Sequence, residues 1–238
     1  MFEYLYFLIT FKNWRILNQV MVLLCGVEEA GRGPVIGPLV MCGVIINEED
    51  ELKLKAMGAK DSKLLTPKAR EFLFDKIKNA VMDYKIIIVP PKEIDDAVEG
   101  KGGINLNWLE ANKSAEIINL LKPNKAILDC PSTNISAYSN YVQERVDKKV
   151  VLVCAHHADV NFPVVSAASI LAKVTRDAEI KKLKKKIGID FGSGYPSDPT
   201  TKEFLKEHYM DFPNIIRHSW APYKNLIKQK AQKNLGNF

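Results

Sequence analysis

The chain has 238 residues, 47% hydrophobic and 26% charged, which is the composition of an ordinary globular protein able to bury a sizeable core. Its 34 Lys and Arg against 28 Asp and Glu leave a net charge of +6, too modest by itself to name an acidic partner and meaningful only where basic residues gather beside a candidate site. Cys25, Cys42, Cys130 and Cys154 form no CxxC pair and no zinc spacing, which excludes a disulfide or zinc scaffold and fits buried thiols in a reducing cytoplasm.

Residues 1–11 are apolar and aromatic, but Glu3 interrupts them, no basic stretch precedes them and no small-residue cleavage site follows. Neither a secretory signal nor a membrane span is expected there, and residues 1–20 read as a dispensable extension. The continuous apolar run 22–27 predicts a buried strand leading into a glycine-rich segment. Residues 35–46 are apolar and β-branched, end at the turn signal Asn47-Glu48-Glu49-Asp50, and are expected to pair antiparallel with the first run. Thr66-Pro67 opens a helix as N-cap and first-turn proline, with Phe72, Leu73, Ile77 and Val81 at helical spacing. A third strand is predicted over 84–89, stopped by Pro90-Pro91. After the glycine break at 100–103, residues 104–121 repeat their apolar positions with a helical period. Pro123-Asn124 then turns the chain into a short strand, 126–128, with Asp129 at its end. Residues 150–154 predict another strand, followed by His156-His157-Ala158-Asp159. A long helix is expected over 165–187, with Ile170, Val174, Ala178, Leu183 and Ile187 on one side and seven Lys and Arg mostly on the other. Gly192-Ser193-Gly194-Tyr195-Pro196 reads as a loop, 200–209 as a short helix, and a last helix starts near Tyr223. The pattern is that of an α/β protein with a mixed sheet. It divides into the extension 1–20, a main α/β domain over 21–220, and a terminal helix and tail over 221–238.

Glu28, Glu29, Asp129 and Asp159 all fall at strand ends or just beyond strands. Each alone fits a solvated strand-end residue or an N-cap. Carboxylates that converge at apolar strand ends need a cation, and an all-oxygen set suits Mg²⁺ or Mn²⁺. Two such ions can activate a water and stabilise the leaving oxygen of a phosphodiester. Gly31, Gly33 and Gly37 permit close backbone approach, and Arg32 adds a charge suited to phosphate; the same stretch also fits a tight turn between strands. It is neither a Walker loop nor a dinucleotide fingerprint. Read without further context, Tyr195 is a loop aromatic and Arg176 a solvated charge on a basic helix.

Glu28-Glu29-Ala30-Gly31-Arg32-Gly33-Pro34 resembles the ribonuclease HII signature Asp-Glu-Ala-Gly-Arg-Gly-Pro. Matching blocks follow in the same order: Asp61-Ser62-Lys63-Leu64, Asp129-Cys130-Pro131-Ser132, Ala158-Asp159, the block over 162–177 that contains Ser166-Ala167-Ala168-Ser169-Ile170, and Gly192-Ser193-Gly194-Tyr195-Pro196-Ser197-Asp198-Pro199. They cover residues 22–220, and their style resembles the archaeal members. The resemblance implies an RNase H-like mixed sheet flanked by helices, with a helical C-terminal region. It implies hydrolysis of the RNA strand of RNA/DNA hybrids and nicking 5′ to single ribonucleotides in duplex DNA, by a cytoplasmic monomer with no membrane attachment. Glu28, Glu29, Asp129 and Asp159 then become the catalytic and metal-binding acids for Mg²⁺ or Mn²⁺. The Gly31-Arg32-Gly33 backbone would read the 2′-hydroxyl. Tyr195 would stack at the ribose–deoxyribose junction, Lys63 and Arg176 would hold phosphates, and His156 and His157 would be structural or peripheral.

One position departs from the signature: its first acid is Asp, and here it is Glu28. The extra methylene moves the carboxylate by about 1.5 Å, against the near-ideal octahedron that Mg²⁺ demands. A hybrid-binding protein with weakened or lost catalysis is therefore the alternative reading. At the other end, Gln232, Leu235 and Phe238 have the spacing Gln-x-x-Leu-x-x-Phe, which resembles the peptide that docks on sliding clamps of the PCNA type and equally fits a frayed end.

Overall fold

The apolar run that enters the glycine-rich motif forms β1 (Leu23–Ala30), the middle strand of a five-stranded sheet in a computed structural model of the protein. The structure describes residues 21–59 and 65–235, with side chains described as far as Gln232. The expected extension 1–20, Lys63 with its surrounding block, and Phe238 lie outside the described residues, and so does the side chain of Leu235.

β2 (Leu39–Asn47) pairs antiparallel with β1, as expected, in a register that sets Glu28 opposite Cys42 and Glu29 opposite Met41. β3 (Asp83–Val89) extends the sheet antiparallel to β2. On the other side of β1, β4 (Lys125–Asp129) and then β5 (Val151–Ala155) add in parallel, giving the order β3-β2-β1-β4-β5. Every residue of β2 but the last is buried, which is why its sequence is apolar without alternation. The strand starts later than its apolar run implied. Residues 35–37 instead cross over to the C-terminal region, where Ile36 forms a bridge with Ile216, and Gly37 at φ +90° turns the chain into β2.

Between β2 and β3 lie α1 (Glu51–Ala56) and α2 (Pro67–Ala80); the Thr66 hydroxyl caps the latter by accepting from the Ala69 amide, as predicted. Leu73 and Ile77 of α2 are buried, but Phe72 is 63% exposed, and Val81 is the helix's C-cap and only partly buried. Pro90-Pro91 ends β3 and also starts a helix absent from the sequence reading, α3 (Pro91–Val98), with proline at its first position. α4 (Leu106–Leu121) is capped by the Asn105 side chain, and α5 (Ile135–Gln143), also unforeseen, is capped by Asn134. The short α6 (Ala158–Asn161) leads into α7 (Pro163–Ile187), and α8 (Pro199–His208) and α9 (Ala221–Leu235) complete the described chain. No helix among the described residues is long and apolar enough to cross a membrane.

Alternation along β1 divides the molecule into layers. Leu24 and Ala30 face α7 and pack with Val164, Ala168 and Leu171. Cys25 and Val27 face the other way, onto Leu109, Ala115 and Ile118 of α4. Gly26 lies under α7 so closely that a Cβ there would meet the Val164 carbonyl carbon at 2.5 Å. The first turn of α7 is thereby seated directly on the central strand. A third cluster, with Val35, Ile36, Ile180, Phe191, Phe204 and Ile216, joins the end of α7 to α8 and the crossing loop.

Candidate active site

Because β1 and β4 are parallel neighbours, their carboxyl ends open on the same edge of the sheet. Glu28 and Glu29 come just before the last residue of β1, and Asp129 is the last residue of β4. Asp159 is in the first turn of α6, past the end of β5 and buried. Successive strand residues point to opposite faces, so Glu28 departs on the α7 side and Glu29 on the α4 side. They come together with Asp129 because the sheet stops there.

Glu28 and Glu29 feel the other acids. Burial above all, then the charges of Glu29, Asp129 and Asp159, holds the Glu28 carboxyl well above the usual carboxylate range. Burial also pushes Glu29 up to about 8, with Glu110 and Asp129 adding to the effect. Asp129 is oriented by the Ala158 amide, which donates to its Oδ1 at 2.6 Å. Glu28 Oε2 is buried and has no hydrogen-bond partner. A buried carboxylate oxygen without a donor either takes up a proton or meets a cation. The donor set is all oxygen, which suits Mg²⁺ or Mn²⁺, and the unpartnered Oε2 marks where such an ion would be most favourable. Among the described residues no three His, Cys, Asp or Glu side chains are grouped closely enough to hold an ion as they stand.

Glu28, Glu29 and Asp129 share a cavity of about 270 Å³ with the 31–33 segment, Lys173 and Tyr195. A larger cavity of about 410 Å³ lies elsewhere, between α3 and residues 213–218. Its exposed acids Asp96 and Glu99 are already paired with Lys92 and Lys101, so the chemistry belongs to the smaller one.

The 31–33 segment is held from behind by its carbonyls. Arg217, fully buried, donates to Gly31 O at 2.6 Å, Arg32 O at 2.8 Å and Gly37 O at 3.0 Å, and the Trp220 indole donates to Gly33 O at 3.1 Å. With those three carbonyls occupied, what the segment has to offer a ligand is its amides. Gly31 has φ +87°, and a Cβ there would meet the Arg176 side chain at 2.5 Å. The Arg32 side chain turns to α4: its Nε donates to both oxygens of Glu110 at 2.8 and 3.1 Å, and Nη2 donates to Asn107 Oδ1 at 2.7 Å. Its contribution to the cleft is therefore the placing of backbone more than a free charge. Glu110 is 0% exposed, and burial raises its carboxyl to about 7 against the lowering effect of Arg32.

Arg176 is not a solvated charge. It is 2% exposed, donates through Nη2 to Ser193 O at 3.1 Å, and stacks its guanidinium 5.1 Å from the centre of the Tyr195 ring. Burial lowers its pKa, and burial with the charge of Arg176 lowers that of Arg217; a guanidinium making three carbonyl bonds nonetheless stays protonated. The loop bearing Tyr195 is stapled by Asp198, which accepts from Ser193 N at 2.7 Å, and by Thr201, which accepts from Gly194 N at 3.0 Å. His156 pairs its Nδ1 with the Cys130 carbonyl at 3.0 Å, and His157, at φ +56°, is exposed; neither lines the cleft.

Sequence reasoning missed Glu110, Asn107, Lys173, Arg217 and Trp220. Arg217 had a signal, an arginine directly after the apolar pair Ile215-Ile216, but its partners lie about 180 residues away. Of the C-terminal peptide, Gln232 is exposed on α9 and Leu235 is the helix's last residue.

A family model described as Ribonuclease HII matches residues 25–223. A ribonuclease HII from Pyrococcus furiosus is 45% identical over 214 residues, 87% of this chain and 93% of that protein. The crystal structure of ribonuclease H2 from Pyrococcus horikoshii superposes with a TM-score of 0.79 at 43% identity, covering 87% of this chain and 98% of that one. The ribonuclease HII in a PCNA:RNase HII complex from Archaeoglobus fulgidus gives a TM-score of 0.75 at 40% identity, covering 85% and 96% of the two chains.

Replacing Arg217 by Lys keeps the charge but leaves buried carbonyls without donors. Stability is expected to fall by about 3 kcal/mol, at roughly 1–3 kcal/mol for each unsatisfied group. Urea unfolding measures this, and an unchanged midpoint would mean that the carbonyls find other donors.

Proposed function

The chain belongs to the ribonuclease HII family and is a ribonuclease H, and from that premise we propose that it hydrolyses the RNA strand of RNA/DNA hybrids and nicks duplex DNA on the 5′ side of single ribonucleotides. The observation that carries this reading is one cleft in which buried carboxylates face an amide-bearing segment and an aromatic ring. The acids suit phosphodiester hydrolysis, and the segment suits a ribose hydroxyl.

Glu28, Glu29, Asp129 and Asp159 are the residues that would hold Mg²⁺ or Mn²⁺. When bound, the ion supplies activation of water and stabilisation of charge on the departing oxygen. The amides of the 31–33 segment take the 2′-hydroxyl, and Arg217 and Trp220 keep them in place from the carbonyl side. Tyr195 stacks on the neighbouring deoxyribose, supported from beneath by Arg176. Lys173, which lines the cleft, is placed to meet the phosphate, and Lys63, outside the described residues, is given the same role by the family signature alone. Water attacks phosphorus, the bond to the 3′-oxygen breaks, and the products are a 3′-hydroxyl and a 5′-phosphate. The enzyme acts in the cytoplasm.

Glu28 favours a second reading, a hybrid-binding protein with weakened catalysis. Its carboxylate is set about one bond length further out than an aspartate's would be, and the strand register leaves β1 no freedom to retreat. The tail is proposed to dock on a PCNA-type sliding clamp through Gln232, Leu235 and Phe238, of which Gln232 is exposed on α9 and Leu235 is that helix's last residue.

A duplex with one embedded ribonucleotide, incubated with the protein and Mg²⁺ or Mn²⁺, is expected to be cut once on the 5′ side of the ribose, and chelation by EDTA is expected to abolish the cut. Binding with no nick in either metal would leave the second reading standing. Glu28→Asp is expected to raise turnover in Mg²⁺ by up to about tenfold and in Mn²⁺ by less; equal turnover of both proteins in Mg²⁺ would show that the extra methylene is harmless. Removal of residues 232–238 is expected to abolish clamp binding while nicking persists, and clamp affinity unaffected by that deletion excludes the docking role.

A further inference from the structure

We propose that Asp95, a residue of α3 outside the cleft, is a positioning residue for ribose selection: it fixes the strap 215–220 that holds the 31–33 segment in place. The proposal rests on the reading that this segment senses the 2′-hydroxyl.

Asp95 is 8% exposed, and its carboxylate is spent entirely on one short stretch of chain. Oδ2 accepts from the His218 amide at 2.8 Å. Oδ1 accepts from the Ser219 amide at 2.9 Å and from the Ser219 hydroxyl. Two successive amides on two oxygens of one carboxylate set both the position and the rotation of the backbone that carries them. The residue just before that pair is Arg217, whose guanidinium spans the carbonyls of Gly31, Arg32 and Gly37. The residue just after it is Trp220, whose indole takes the Gly33 carbonyl. The strap is also bonded to the loop through its main chain, Arg217 N to Val35 O at 2.8 Å and Gly37 N to Ile215 O at 2.8 Å. Asp95 thus holds one side of the strap while the other side holds the ribose-reading segment.

The neighbouring acid on the same helix provides the contrast. Asp96 carries the same charge and pairs at the surface with Lys92 at 2.7 Å and Lys101 at 2.9 Å, touching nothing that leads to the cleft. In Asp95→Asn no orientation of the carboxamide satisfies both strap amides, because its NH₂ must face one of them, donor against donor. The strap then shifts, and the 31–33 carbonyls shift with Arg217 and Trp220. Small displacements at a group that orients the substrate cost rate at the reacting centre more than they cost overall binding.

The test is single-turnover nicking with enzyme in excess, on two duplexes that differ only in a 2′-hydroxyl or a 2′-fluoro group at the junction sugar. Wild type, Asp95→Asn, Ser219→Ala and the control Asp96→Asn are compared well below their melting temperatures. Asp95→Asn is expected to lose about tenfold in maximal rate on the ribose duplex, with the enzyme concentration for half-maximal rate nearly unchanged and the rate on the fluoro duplex unaffected, so that ribose preference shrinks by about tenfold. Ser219→Ala, which keeps both amide bonds, is expected to lose about threefold in the same preference. Asp96→Asn is expected to match wild type. A lower melting temperature in Asp95→Asn with ribose preference intact overturns the positioning role. Should that variant fail to fold, an unchanged preference in Ser219→Ala overturns it equally. A wild type that nicks both duplexes alike refutes ribose sensing itself, a failure distinguishable from the others because it is seen before any substitution.

Discussion

Carboxylates gathered away from water at the ends of parallel strands repel one another, and much of the fold serves to keep them there. Left to themselves, such side chains would swing into solvent or the strand ends would fray. Sheet pairing on both sides of β1 prevents the second; against the first, α7 seated on Gly26 closes the space above the strand on the Glu28 side, while Glu29 departs towards α4. Asp129 is held by an amide from the start of α6, so the element that delivers Asp159 also orients its neighbour. A divalent cation, the partner proposed for these acids, would relieve that repulsion, and Glu28 Oε2 is a buried oxygen left without a hydrogen-bond partner.

Around this acidic centre the basic groups are sorted by role. On α7 the lysines beyond Ile180 stand towards solvent, several in surface ion pairs that contribute little to stability. Arg32 and Arg217 behave differently, with their guanidiniums committed to fixed oxygen acceptors, while Arg176 gives Nη2 to Ser193 O and lies against Tyr195 with its Nε unpartnered. Their planar forks suit that task, since one guanidinium can hold two or three carbonyls in set directions where a lysine would hold one loosely. The two buried guanidiniums, of Arg176 and Arg217, therefore act mainly on the shape of the cleft and its supports.

What could be read from the sequence was what local pattern encodes. β1, the antiparallel pairing with β2, the cap of α2, and the helices α4 and α7 all follow from runs and periods within a single window of chain. The acids were legible because they interrupt apolar strands. α3 and α5 were not, since eight or nine residues of mixed polarity between turns give too short a period to separate from loop. The burial of Arg176 was not legible for a related reason. Its neighbours in sequence are helical and polar, and only the loop carrying Ser193 and Tyr195, folded back over it, takes it out of water. Glu110 looked like any helix acid, because its partner Arg32 lies 78 residues earlier.

The hydrogen bonds from Arg217 to Gly31 and Arg32 join residues 186 and 185 apart, whereas the β-hairpin that carries the acids Glu28 and Glu29 closes between residues near each other in the chain. During synthesis the first half of the sheet can form long before the strap has left the ribosome. Contacts between distant parts of a chain carry the larger loop-closure entropy and form late. A growing chain therefore has its acids assembled while the segment beside them is still unbraced. On the proposed reading of that segment, ribose selectivity is the last property that folding confers.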